Sequence, residues 1–236
     1  MLTVLGILFP VAVLGLIAWI VVGFLQSRKG ESFTLATATA LYSRVVLVAG
    51  VIMALAGVGS ALKAAFGFIN LSYSYFDYTT NAYKGAPPGA PVPPVSPVGY
   101  LEQQRGQDLV LGITLIGIGV LVAVAHYYIA RALATKAGGS PTWIARGTLL
   151  ALTVTTAVGA IPTSAIGIYQ MLSFFILGGS QNAVYGIAPQ TWGDPVGAAI
   201  AFVPAWIYVM RRLVRDLRTP YATAPGSAAG VAAPAA

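Results

Sequence analysis

The chain contains no cysteine and a single histidine, His126, and only 8% of its 236 residues are charged. Without cysteine there are no disulfides, no thiolate metal sites and no cysteine nucleophile, and the redox compartment is left open. One histidine excludes bis-histidine haem ligation within one chain and any site built from several imidazoles. Soluble domains carry roughly 25% charged residues. With 57% hydrophobic residues and a mean hydropathy of +0.80, this is the composition of an integral membrane protein. Catalytic signatures are also missing: there is no phosphate-binding glycine loop with its lysine, no HExxH and no Ser–His–Asp arrangement, so the expectation is that the chain is not an enzyme.

What the chain has instead is long apolar runs separated by clusters of charge. Residues 1–27 carry no charge and are long enough to cross about 30 Å of hydrocarbon at about 1.5 Å per residue. The positive pair Arg28-Lys29 follows that run, which favours an uncleaved N-terminal anchor with its N-terminus outside over a cleaved signal peptide. A second span lies between Arg44 and Lys63 and continues to Ile69; a third runs from Leu109 to Ala130. Arg146 and Asp194 bracket an uncharged stretch read as one span from Gly147 to about Gln170, with a kink at Pro162 and a possible re-entrant half-helix over 171–193. The fifth span runs from Pro195 to Met210, with Pro204 inside it, and ends on Arg211, Arg212, Arg215 and Arg218. The segment 86–98, APPGAPVPPVSPV, with its six prolines, is expected as an extended loop, most simply a connector, otherwise a docking strand. The aromatic run Phe66 to Tyr83 is expected at a bilayer surface, and residues 219–236 as a disordered cytoplasmic tail.

The net charge of +7 and pI of 9.8 do not indicate nucleic acid, because the charges sort by membrane side. With five spans and the N-terminus outside, ten basic residues fall on the cytoplasmic side against Lys63, Lys84 and Arg105 outside, which is a strong positive-inside bias.

The segment Leu41–Ile69 has a remote copy at Trp143–Met171, which places Arg44 on Arg146 and Gly57 on Gly159. In α-helical spacing Ala54, Gly57, Ala61 and Ala65 form one stripe of small residues, and Thr156, Gly159, Thr163 and Gly167 form its counterpart. The expected architecture is therefore all-α with five transmembrane helices, the last four as two tandem parallel hairpin repeats. The first repeat is 35–135 with an outer loop over 71–108, the second is 141–218, and the two stripes are expected to pack against each other.

Few residues offer chemistry. Asp108 and Asp194 precede the returning helices and are read first as helix caps, with a polar path or cation site near the axis as the functional alternative. His126 could be the axial ligand of a pigment or a shared haem, though hydrogen bonding near the cytoplasmic end is the simpler role, and no cofactor is expected. Thr153, Thr155, Thr156, Thr163 and Ser164 could line a path, yet hydroxyls also bond to their own helix carbonyls.

The segments LYSRVVLVAG and AVAHYYIARAL resemble a family of bacterial multi-span proteins described only as a domain of unknown function, over about residues 35–218. The resemblance implies a bacterial inner membrane and no particular activity. The second repeat has WIYVMRRL where the first has HYYIARAL, so His126 is not duplicated. The favoured expectation is a non-enzymatic scaffold or accessory subunit of the cell membrane, in contact with lipid and with other integral membrane proteins or itself. The alternatives are a small transporter or channel between the repeats, and a pigment- or haem-binding subunit using His126.

Overall fold

The computed structural model describes residues 35–75, 97–136, 142–176 and 191–218. The expected first span over 1–27, most of the proline-rich loop, the re-entrant segment beyond residue 176 and the tail lie outside the described residues. Among the described residues the fold is all-α. The elements are α1 (Leu35–Ile69), α2 (Leu71–Ser74), α3 (Pro97–Lys136), α4 (Thr142–Ile176) and α5 (Gly193–Arg218). All but α2 are long and apolar enough to cross a membrane. Helices suit such sequences because lipid offers no partner to backbone N–H and C=O groups, which a helix satisfies internally.

At 35 residues, α1 is about 52 Å long and exceeds the hydrocarbon thickness. It ends at Asn70, whose side chain accepts a hydrogen bond from the Ser72 N–H (3.1 Å) and starts the single turn of α2. α3 starts at Pro97, where a missing N–H costs nothing. It is longer than the expected span because Glu102, Gln103, Gln104, Arg105 and Gln107 are good helix formers that carry it beyond its apolar stretch. The loop expected over 71–108 is thus helical at both ends. Pro162 and Pro204 both sit within helices. In the Pro162 turn the hydroxyls of Thr163 and Ser164 donate to the carbonyls of Gly159 and Ala160, the kind of side-chain support that lets a membrane helix accept proline.

α1 packs most extensively on α3, and α4 on α5; α1 then joins the two hairpins, mainly through α5 and much less through α4. The α1–α3 seam is closed by glycine on both sides. A Cβ on Gly57 would lie 2.7 Å from the Gly112 oxygen and the Ile116 nitrogen, and one on Gly119 2.5 Å from the Ala54 nitrogen. A Cβ on Gly112 would approach the Ala61 nitrogen to 2.7 Å. These neighbours are backbone atoms, so the helices can meet this closely only without side chains. Across the α4–α5 seam Gly159 accepts the ring of Phe202, which belongs to a core cluster with Ala160 and Ala201, and Gly167 faces Pro195 and Val196. Between the hairpins, Gly59 faces Ala198, and Gly197 faces the Gly59 carbonyl.

The expected pairing of the two small-residue stripes is therefore corrected. Ala54, Gly57 and Ala61 meet α3, while Gly159 and Gly167 meet α5. The reason is physical: a stripe marks the face on which a helix can be approached closely, and α3 carries the complementary glycines Gly112 and Gly119. Ala65 is exposed and its neighbour Ala64 is buried instead. Val48 of the same helix is buried as well.

Candidate functional site

The densest polar arrangement lies where α1 ends. Asp108 stands eleven residues inside α3, and its carboxylate accepts from the Lys63 ammonium of α1 (2.7 Å) and from the Tyr75 hydroxyl (2.9 Å). The Lys63 and Asp108 side chains are only 16% and 19% exposed, so the pair is largely withdrawn from solvent and depends on its hydrogen bonds to offset desolvation. Three further contacts fix its geometry. Ser60 donates to the Asp108 carbonyl (3.0 Å), Ser74 donates to the Lys63 carbonyl (2.7 Å), and the Lys63 ammonium lies 4.8 Å from the centre of the Tyr75 ring. Gly67 makes room for that ring, and α2 acts as a strap that folds Tyr75 back over the end of α1.

The Tyr75 hydroxyl is held well above the ordinary tyrosine range. Burial is the main cause, followed by its hydrogen bond to Asp108 and the Asp108 charge; Arg105 opposes the shift and Asp194 adds to it. Asp108 and Asp194, singled out from sequence, are thus both within electrostatic reach of Tyr75. Their roles differ. The capping role expected for Asp108 is corrected, since α3 begins at Pro97 and Asp108 neutralises Lys63 from within the helix. Asp194 is in the first turn of α5, where a carboxylate complements the helix dipole.

Aromatic rings cover the site on the side of α4 and α5. Trp192 is buried with its ring 4.9 Å from Tyr73, 5.1 Å from Phe66 and 6.2 Å from Phe175, and Tyr73 meets Phe174 edge to face at 5.6 Å. Arg105 lies over the Phe68 ring (4.1 Å) and reaches the Gly67 carbonyl. Of the aromatic collar expected to face the bilayer surface, Tyr75 instead turns inward.

The other sequence candidates are dispersed. His126, half-buried in α3, places Nδ1 2.9 Å from the Val122 carbonyl. A carbonyl only accepts, so Nδ1–H is the donor in this contact; the ring meets Tyr42 edge to face at 5.9 Å. Among the described residues there is no group of three or more His, Asp or Glu side chains able to hold a metal. The hydroxyls of Thr153, Thr155, Thr156, Thr163 and Ser164 all donate to carbonyls of their own helix, and Thr153, Thr156 and Thr163 are buried. Sequence reasoning missed Lys63 and Tyr75 as partners of Asp108. The signal was a lysine inside an otherwise apolar helix, which in a membrane calls for an acid. No family model, characterised protein or solved structure matches this chain.

Proposed function

We propose that the chain is a non-enzymatic multi-pass subunit of a membrane assembly, associating with other integral membrane proteins or with itself. In this reading it has five spans, the first within 1–27, with the N-terminus outside and the C-terminus cytoplasmic, and its last four spans are two tandem hairpin repeats. The repeat is supported by Gly57 and Gly159, which are equivalent in the internal alignment and each face the returning helix of their own hairpin. The orientation rests on the charge bias in the sequence.

The observation that carries the reading is the flank of α3 that none of the other described helices covers. Among the described residues this helix packs almost solely on α1, and none lies within 4 Å of where a Cβ on Gly117 would stand. Glycine inside a helix costs about 1 kcal/mol relative to alanine, and at Gly112 and Gly119 close backbone contact accounts for it. At Gly117 a helix from outside the described residues would supply the same compensation, and in this reading it belongs to another chain. The buried, self-bonded hydroxyls of Thr156 and Thr163 lend no support to a polar path between hairpins.

The test is purification of the full chain from its native membrane in gentle detergent, followed by mass spectrometry of the complex. A stoichiometric protein partner or a defined oligomer is expected, lost in Gly117→Leu while the melting temperature is retained. A lone monomer from native membrane would overturn the reading.

A further inference from the structure

The opposite end of the bundle carries a second polar layer, in which basic side chains outnumber carboxylates among the described residues. Helical register places it. Gly59 of α1 is level with Ala198 of the antiparallel α5, so fifteen residues further along each helix Arg44 comes level with Leu213, beside Arg212. Gly50 is level with Gly119 and Ala123 of α3, so six residues further along Arg44 comes level with Tyr127. Arg44 accordingly lies within electrostatic reach of both the Arg212 guanidinium and the Tyr127 hydroxyl. The described helices bring eight Lys and Arg residues to this end and one carboxylate, Asp216. Asp216 is engaged with Arg146 (3.1 Å), and neither Arg44 nor Arg212 has a carboxylate partner among the described residues.

Depth decides what could neutralise them. Arg44 is nineteen residues from Lys63 along α1, and Tyr127 is nineteen residues from Asp108 along α3. Both intervals amount to about 28 Å, close to the roughly 30 Å thickness of a hydrocarbon core. With the Lys63–Asp108 pair at one boundary, Arg44 falls at the other, where lipid phosphates lie. Tyr42, Tyr127 and Tyr128 are exposed around this level, as interfacial tyrosines are. Two neighbouring guanidiniums repel each other unless an anion joins them, and a phosphate presents the oxygens that their planar forks match.

The geometry points to a binding site for the phosphate of an anionic phospholipid, held by Arg44 and Arg212 with the Tyr127 hydroxyl as a third donor. A lipid is favoured over a soluble anion because Arg44 stands one hydrocarbon thickness from the Lys63–Asp108 pair, at a level ringed by exposed Tyr42, Tyr127 and Tyr128.

The test uses the full chain in mild detergent, titrated with phosphatidylglycerol, phosphatidylcholine or inorganic phosphate, and read by native mass spectrometry and thermal melting. Phosphatidylglycerol should bind in preference to phosphatidylcholine. Arg212→Gln and Arg44→Gln should each weaken that binding about fivefold, the effect of one basic group at an anionic bilayer surface. Arg218→Gln, at the end of α5, should leave it unchanged. Arg212 is exposed, so its substitution decides the matter even if Arg44→Gln fails to fold. Equal binding of the two lipids, or an equal loss in Arg218→Gln, would overturn the site. Stabilisation by inorganic phosphate equal to that by phosphatidylglycerol would overturn the lipid assignment.

Discussion

Lys63 and Asp108 meet at 2.7 Å across the α1–α3 seam, two residues past Ala61 on α1 and one helical turn from Gly112 on α3, which are themselves in contact. The order is consistent with chemistry: glycines bring the two backbones together, and the closeness lets a lysine and an aspartate bond directly where water is sparse. Removing one partner strands the other. Asp108→Asn is expected to lower stability in detergent by about 2–4 kcal/mol, somewhat below the cost for fully buried pairs because these side chains keep some exposure. The double variant Lys63→Met/Asp108→Leu should be less destabilised than the sum of its single changes. Additive losses in a thermal melting cycle would mean that the pair contributes nothing as a pair.

Tyr75 closes the same layer, and its raised ionisation has a definite consequence at alkaline pH. A group whose folded-state value is raised contributes stability that is complete below the unfolded value of 10.0 and is lost as pH climbs toward the folded value. Wild type should therefore lose melting temperature above pH 10 more steeply than Tyr75→Phe, although it is the more stable of the two at neutral pH, by about 1–2 kcal/mol for the hydroxyl. Parallel pH profiles for the two proteins would show that the Tyr75 hydroxyl ionises as in the unfolded chain.

Gly57 and Gly117 give a paired test of packing, since the first faces α3 backbone and the second has no described residue within 4 Å of a Cβ placed on it. Gly57→Leu and Gly159→Leu are each expected to cost about 1–3 kcal/mol or more by overpacking, whereas Gly117→Leu should leave the isolated chain as stable as before or slightly more so. Similar melting temperatures for Gly57→Leu and Gly117→Leu in monodisperse detergent samples would contradict the α1–α3 seam.

Much of this architecture was legible in the sequence, and the limits of that legibility are physical. Apolar runs bounded by Arg44, Lys63, Asp108, Arg131 and Arg146 gave the helices because charge is too costly to leave inside hydrocarbon. Helix interiors containing Pro162 and Pro204 were also readable, since surrounding apolar residues leave no other way to satisfy the backbone. The start of α3 was not. Its Gln- and Glu-rich first turns resemble a polar loop in hydropathy, and only their helix propensity separates the two. In the sequence alone Asp108 consequently reads as a cap. Spacing likewise places Ala54, Gly57 and Ala61 on one face but does not choose among helices that could cover it. The choice was made by Gly112 and Gly119 at matching intervals on α3. Ala65 continued the stripe in sequence but lies beyond the Ala61–Gly112 contact, and is exposed.

The absence of cysteine makes the junction between hairpins directly testable, because introduced pairs will have no competitors. A Cβ placed on Gly59 would lie 3.7 Å from the Ala198 Cβ, close to the mean of about 3.8 Å in disulfides. Gly59→Cys/Ala198→Cys is therefore expected to form an intramolecular disulfide on mild oxidation, recovered as a linked α1–α5 peptide by mass spectrometry after proteolysis. Ala54→Cys/Thr156→Cys joins the positions that the sequence alignment had placed together, and should stay unlinked because Ala54 faces α3. A cross-link in the second pair but not the first would restore the direct pairing of α1 with α4 and remove the α1–α5 junction. The first pair linking alone would fix α1 as the central helix, with α3 on one flank and α5 on another.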